Sequence, residues 1–368
     1  MIRVAIVGCG KQADAHATVL QQVDGCQIVG ACDSEVLMAR QLYERYKIAS
    51  YYDNVYALLE GCAPDVIHLN TPPHTHMELG RICLEAGCHV FFEKPLGLRT
   101  DEVERLIAVA QRNRRLITVG HNNQFNDSAI RMRTLVRDGV LGGRPLHMES
   151  VWGYDLGDQR FAQSLLGDKT HWIRRLPGGL LHNIISHGIG KLAEFLEGQS
   201  LSVVARGFTS DFLRRIHESD IVDELRVIIN DEQGNTAYFT FSTQIRPMIR
   251  QLRLYGAKGS LVVDDMHETV TVTCRTDYKS YLNHMVPPLL YARQHCREAL
   301  GNIRRFGKRE LNFDSGRRRL VESFYRSIAT DGEVPIPYVE IVRTSRIMDK
   351  IFEQVVPKRD PALVCKSW

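Results

Sequence analysis

The chain has 368 residues, 44% of them hydrophobic and 24% charged, which is enough to bury a substantial core and to form about two domains. Its formal net charge of +4 is small for that length, so overall charge gives no reason to invoke nucleic acid, and any basic function has to be local. Nine cysteines, an odd number without CxxC spacing, mostly sit inside apolar runs and read as reduced thiols of a cytoplasmic protein.

The chain opens on MIRVAIVGCG, which reads as a strand and a turn, and neither a signal peptide nor a transmembrane span is predicted. Up to residue 122, short Val/Ile-rich runs alternate with longer helix-like segments, the pattern of βαβ units around a parallel sheet. The runs RVAIV, QIVGAC, DVIHLN, HVFFE and LITVG predict strands. Between them HATVLQQV, EVLMARQLYERY, MELGRICLEAG and TDEVERLIAVAQRN carry apolar residues at three- and four-residue spacing and predict helices.

From residue 123 to 368 the pattern changes. One helix is followed by Pro145 to Gly153, a polar and aromatic loop, a short apolar helix, and then SVVARGF, DELRVIIN, TAYFTFST, QLRLYG, SLVVDD and TVTVTC. Turns at Asp231 to Asn235 and Gly256 to Gly259 break these runs, so a second domain with a large, mainly antiparallel sheet is predicted. Two helices, near 317–330 and 338–355, close the chain.

Gly8-Cys9-Gly10-Lys11-Gln12-Ala13 follows the first strand and opens a helix, and Asp33-Ser34 ends the second strand about 20 residues later. The first glycine permits a tight turn, the second lets backbone N–H groups approach a pyrophosphate at the helix amino end, and Ala13 allows close helix packing. With strand, helix and acid in the required order, this predicts a dinucleotide site. Asp33 is suited to a ribose 2′-hydroxyl and repels a 2′-phosphate, which favours NAD over NADP, although Lys11 or Arg40 is placed to reach a phosphate. The competing reading of Asp33 is a helix cap ahead of Glu35.

Two further strand ends should face the same crevice. One carries Asn70-Thr71-Pro72-Pro73-His74-Thr75-His76, the other Glu93-Lys94-Pro95, and the prolines stiffen both loops. A lysine held there beside a nicotinamide can exchange a proton with a substrate hydroxyl.

Together GCGKQA, TPPHTH, EKP, the GG…N…H element at 178–187 and YGAKGSLVVDD resemble the Gfo/Idh/MocA family of nicotinamide-dependent oxidoreductases over nearly the whole chain. The resemblance implies an amino-terminal Rossmann domain and a carboxy-terminal α/β domain whose open sheet lines the substrate site and mediates dimers or tetramers. It implies oxidation or reduction of one carbinol of a sugar, inositol or nucleotide sugar, with Lys94 and His187 at the family's lysine and histidine positions. It also implies cofactor contacts from Gly8, Gly10, Lys11, Gln12, Ala13, Asp33, Ser34, Thr71, Pro72, Pro73, His76, Glu93 and Lys94.

In GGLLHNIISHGIG the helical wheel gathers Leu180, Leu181, Ile184, Ile185, Leu192, Phe195 and Leu196 on one apolar half and Asn183, His187, Gly190 and Glu194 on the opposite stripe. Asn183 and His187, four apart, project side by side and can act on one ligand. His182 and His187, five apart, diverge by about 140° and lack the paired grip of a helical zinc site. His74 and His76 bring no carboxylate or cysteine to complete a ligand set, so no metal is predicted.

Many members of the family carry aspartate where this chain has Asn183. An asparagine orients a hydroxyl but is no base, which shifts proton work toward Lys94 and His187. Ile185 and Gln124 replace a common glycine and arginine. Gln124, Tyr154, Trp172, His182, Asn183 and His187 are the candidate substrate residues, with Trp152, Asp155 and His171 as aromatic and polar neighbours that equally suit a core. Arg160, Arg174 and Arg175 are candidates for a diphosphate.

Residues 286–309 form a basic amphipathic segment. Its composition favours a solvated helix packed on its own domain, over a peripheral membrane contact, a lid or a subunit arm. Three functions fit the sequence: an NAD-dependent dehydrogenase; glycoside cleavage or epimerisation with tightly held NAD and no net redox; and a non-catalytic NAD-binding sensor or assembly protein.

Overall fold

The computed structural model describes residues 1–156, 165–198, 200–274, 276, 278–308 and 315–355. The chain divides into two compact units, Met1–Ile130 with Arg297–Ser345, and Arg131–Cys296 with the residues from Arg346 onward.

In the first unit the five predicted runs become β1 (Ile2–Val7), β2 (Cys26–Cys32), β4 (Val66–Leu69), β5 (His89–Phe92) and β6 (Ile117–Val119), and a short β3 (Tyr51–Tyr52) adds an edge. All pair in parallel in the order β3-β2-β1-β4-β5-β6. The sequence of strands reverses between β1 and β4, and ligands of such sheets bind beyond the carboxyl ends at that point. Burial of Val4 to Val7, Val66 to Leu69 and Val90 to Phe92 explains why these strands read as continuous apolar runs: helices cover both faces.

Those helices are α1 (Lys11–Leu20), α2 (Val36–Tyr46), α3 (Val55–Cys62), α4 (His76–Glu85) and α5 (Thr100–Arg112). Helix α3 was absent from the predicted runs. Its signal is Asn54, whose side chain accepts the Ala57 N–H at 2.9 Å and caps the helix.

A division of the chain into 1–122 and 123–368 misses a return crossing. Helix α12 (Ser315–Thr330) buries Leu320, Val321 and Phe324 in the first core, and Ile336 and Ile341 join them. The apolar positions of α12 are complementary to the first sheet's covering layer, so these residues belong to the first unit despite lying late in the sequence.

The second unit is built on β7 (His147–Gly153), β8 (Ser202–Phe208), β9 (Glu224–Asn230), β10 (Thr236–Ser242), β11 (Arg250–Tyr255), β12 (Gly259–Asp264) and β13 (Thr269–Cys274). Their order is β13-β12-β11-β7-β10-β9-β8, and every neighbouring pair is antiparallel except β7 with β10. Alternate residues such as Leu225, Val227, Phe239, Leu252 and Val263 face the core, while Val204, Ile228 and Tyr238, aligned across three strands, stay exposed on the other face.

Its helices include α7 (Trp172–Arg175), α8 (Gly179–Ile184), α9 (Ser186–Ala193), α10 (Asp211–Arg215) and the last turns of α13 (Tyr338–Val355), while α6 (Asp127–Arg137) leads in from the first unit. Ile185 interrupts the GGLLHNIISHGIG helix for one residue, but Ile185 N–H to Leu181 and Ile189 N–H to Ile185, both 2.9 Å, keep α8 and α9 on one axis. Gly188 permits the approach of α9 to the sheet, because a Cβ there would lie 2.5 Å from the Phe239 ring.

The basic amphipathic segment is helix α11 (Val286–Gly307); Arg309 lies outside the described residues. Gln294 on α11 bonds both backbone groups of Val272, at 2.9 and 3.0 Å, and so covers the edge strand β13. Among the described residues no helix is long and apolar enough to cross a membrane.

Candidate functional site

At the switch point, Gly8 has φ +89°, and a Cβ there would lie 2.6 Å from the Thr71 nitrogen, so the turn tolerates only glycine. Gly10 stands at the amino end of α1 with an extended backbone and open space where a side chain would be. The aligned peptide dipoles of α1 favour an anion at that end. Ala13 is fully buried, whereas Lys11, Gln12 and Ser34 are exposed.

Asp33 ends β2 half-buried. One carboxylate oxygen accepts the Cys9 N–H at 2.7 Å and the other the Glu35 N–H at 3.0 Å. These bonds brace the turn ahead of α2, whose amino-terminal cap is Glu35, so Asp33 is not itself the helix cap, and each oxygen keeps a lone pair for a ribose hydroxyl. Burial and, after it, the Asp33 charge push the Cys9 thiol up to about 12, so it stays protonated at the turn.

At the end of β4, Thr71 and Pro72 are half-buried and Pro73 buried. The carbonyl oxygens of Thr71, Pro95 and Leu96 flank the two ring nitrogens of buried His76 at 2.9, 3.1 and 3.1 Å. His76 therefore ties the TPP loop to the EKP loop. Asn70, which the motif reading passed over, has both side-chain polar atoms buried without a partner in the described structure. Such a group at the crevice fits a bound polar ligand.

Lys94, joined to Pro95 by a cis peptide bond, follows Glu93 at the end of β5. Glu93 accepts the Lys94 backbone N–H at 3.1 Å and lies 3.0 Å from His16 Nε2. A buried chain continues from His16 to His68 at 2.7 Å and to the Tyr325 hydroxyl at 2.8 Å. Burial opposes a charge on Glu93, but the hydrogen bond and charge of His16, with Arg317 and Lys94, outweigh it and hold the carboxyl well below its ordinary range.

Burial draws the Lys94 ammonium below its ordinary value; Glu93 opposes that shift and Arg317 adds to it. Buried His121, another group the motifs did not flag, is pushed down to about 4 by desolvation and then by the Lys94 charge. Gln124 is buried one turn further on, its N–H bonded to the His121 carbonyl at 3.0 Å.

In the second unit three members of the predicted stripe, Asn183, His187 and Glu194, are half-buried, but the fourth, Gly190, is buried with Leu181, His182, Ile184, Ile185, Ser186 and Gly188, and Phe195 of the apolar half is only half-buried. His187 stacks on Trp152, with centroids 5.7 Å apart and planes at 14°. His182 turns the other way and stacks on Phe352 at 4.8 Å. Trp172 stacks on His171, which caps α7 by accepting the Ile173 N–H at 3.3 Å. Tyr154 is half-buried, and Asp155 pairs with Arg246 at 2.7 Å.

Arg174 is not available to a diphosphate. Its guanidinium is buried against Glu218 at 2.9 Å, Asp220 at 3.2 Å and the Leu165 carbonyl. Arg175 is exposed, and Arg160 lies outside the described residues. Among the described residues no group of three or more His, Cys, Asp or Glu is placed to hold a metal ion.

Residues 2–121 match the model of the oxidoreductase family with an NAD-binding Rossmann fold, and residues 129–262 match the Gfo/Idh/MocA carboxy-terminal domain. The chain belongs to the Gfo/Idh/MocA oxidoreductase family. Its first unit carries that family's NAD-binding Rossmann domain. The chain is 33% identical to D-glucoside 3-dehydrogenase of Escherichia coli over 142 residues, which spans 38% of this chain and 40% of that one. It is 22% identical to myo-inositol 2-dehydrogenase of Thermotoga maritima over 272 residues, 74% of this chain and 78% of the other. The fold is shared with the UDP-N-acetylglucosamine 3-dehydrogenase of Acidithiobacillus ferrooxidans at a TM-score of 0.72 and 19% identity, over 96% of this chain and 97% of that structure.

Proposed function

We propose that the protein is an NAD-dependent dehydrogenase acting on a secondary hydroxyl of a sugar, inositol or nucleotide sugar. The observation that carries this reading is Lys94, a half-buried lysine of depressed proton affinity at a strand end of an NAD-binding domain. Gly8, Gly10 and the α1 amino end are suited to the pyrophosphate, and Asp33 to a free ribose 2′-hydroxyl, which favours NAD over NADP. Bound NAD supplies the hydride acceptor.

A lysine drawn below its ordinary value carries a larger neutral fraction, so Lys94 Nζ takes the hydroxyl proton as the carbinol carbon gives up hydride and becomes a carbonyl. His187 shares the proton transfer in this reading, and Asn183, able to donate and accept but not to serve as a base, orients the substrate. His76, Glu93 and His16 hold the EKP loop in place. The exposed face with Val204, Ile228 and Tyr238 is the surface through which we propose a homodimer or homotetramer forms. The reading places the enzyme in the cytoplasm, where thiols remain reduced.

The test is NADH absorbance over a panel of sugars, inositols and nucleotide sugars. Stoichiometric NADH with one of them is expected. Cleaved or epimerised product without net NADH identifies the second use of NAD, and NAD binding with no turnover on any substrate leaves only a sensor.

A further inference from the structure

The start of β11 carries a cluster that the chemistry above does not use. Arg250 opens β11 and pairs in register with Trp152 of β7, which puts both side chains on one face of the sheet. The Arg250 guanidinium carbon lies 5.0 Å from the Trp152 ring centroid, and the same indole is the one stacked with His187. Trp152 is 3% exposed and Arg250 half-buried, so little water reaches the contact.

Two N–H donors in this cluster are left over. Arg250 Nε and Trp152 Nε1 are both buried, and neither has an acceptor among the described residues. The carboxylate that acts on Arg250 belongs to Asp265, and it is already engaged: Lys191 Nζ, on the same helix as His187, lies 2.5 Å from both of its oxygens. Lys191 is 3% exposed, so the pair is a fixed feature of the interior. Two cations thus share one carboxylate. The Tyr154 phenol also acts on Arg250.

Burial works against the Arg250 charge, yet an arginine remains a cation at any physiological pH. A charge in that position is costly unless a partner completes it. A planar guanidinium offers two parallel N–H groups to the two oxygens of one anion, and an indole face beside it suits the C–H surface of a sugar ring.

We infer that Arg250, backed by Trp152 and adjacent to His187, anchors an anionic group of the substrate, a carboxylate or a phosphate ester. The substrate class is then an acidic or phosphorylated sugar, and a neutral polyol is the poorer ligand. The inference rests on the reading that His187 serves the reacting hydroxyl.

The cluster contains its own reporter. Intrinsic tryptophan fluorescence of the full chain without NAD is titrated with D-glucuronate, D-glucose 6-phosphate and D-glucose, and Trp152→Phe assigns the signal. At least one acid should bind about tenfold or more tightly than glucose, and Arg250→Gln should weaken that acid by about tenfold or more. Arg250→Lys keeps the charge but loses the fork and should fall between; circular dichroism checks that both variants fold. The tighter of the two acids tells a carboxylate site from a phosphate site. No preference for either acid, no binding of either, or a preference that survives Arg250→Gln overturns the proposal. NADH formation is measured separately. Acid binding without turnover breaks the dehydrogenase reading and keeps the anchor, whereas turnover of neutral sugars alone keeps that reading and removes the anchor.

Discussion

Glu93 in the first unit and Arg250 in the second are both charged groups drawn out of water, and their surroundings differ. Glu93 is met by His16 at 3.0 Å and by the Lys94 N–H at 3.1 Å, with the charges of Arg317 and Lys94 nearby. Arg250 has an aromatic face, an orphaned Nε and a share in a carboxylate that Lys191 holds. The first charge is compensated by the protein alone and so belongs to a frame that stands before any ligand arrives. The second is left for a ligand to complete. A charged group at a site therefore says little until its partners are counted.

The contrast is most sharply tested at the frame's reactive end. Lys94→Met should lower kcat/KM by about 10²- to 10⁴-fold, the usual contribution of a positioned proton acceptor. In the unmodified enzyme, oxidation should rise with pH and level off at an inflection below the ordinary lysine value of 10.5, because Lys94 must lose its proton to act and burial makes that easier. NADH absorbance measured from pH 6 to about 10.5 reads both effects. A variant within tenfold of the parent, with the rising limb intact, removes Lys94 from the mechanism.

Next in size is His16→Ala, which strands the Glu93 carboxylate and should cost about 3–5 kcal/mol in denaturant unfolding. Adding Glu93→Gln should recover part of the loss, since no buried charge then lacks a partner. The pH dependence carries the same sign. A carboxyl held below its ordinary 4.5 contributes stability that is present above that value and lost as pH falls toward its folded value. Glu93→Gln should flatten that acid-side loss. In the second unit, Gly188→Ala drives a methyl into Phe239 and should cost about 1–3 kcal/mol by overpacking, visible as a lower Tm.

The two regions also differ in how much of them the sequence reveals. Lys94, Thr71, Gly8 and Asp33 sit at successive strand ends of one parallel sheet, and each is embedded in a short run whose turn chemistry is local. Asn183 and His187 were legible for a related reason: one helix fixes their spacing, and the apolar half-wheel fixes which way the stripe cannot face. Trp152, Lys191, Arg250 and Asp265 come together only through the strand order of the second sheet, where β11 lies between β12 and β7. No spacing rule joins residues that far apart. The return of α12 into the first core was hidden for the same reason, since its apolar periodicity says that it packs but not on which unit. His76 shows the same limit from the other side. It lies in a motif at the crevice, and the sequence does not reveal that its ring nitrogens are flanked by the carbonyls of Thr71, Pro95 and Leu96, which makes it a brace between two loops.

The smallest expected effect concerns another carboxylate of the first unit, Asp33. Its two oxygens hold the Cys9 and Glu35 N–H groups, so the residue shapes the turn as well as offering lone pairs to a ribose. Asp33→Ser removes the negative charge and keeps an oxygen for one of those bonds. Hydrogen bonds to a charged group contribute about 1.5–3 kcal/mol, so the kcat/KM ratio for NAD over NADP should fall by about tenfold or more. The fall should come from both directions, weaker NAD and less repulsion of the 2′-phosphate. A drop in NAD use with no gain for NADP would assign Asp33 to the turn alone, and would make it a structural carboxylate of the same kind as Glu93.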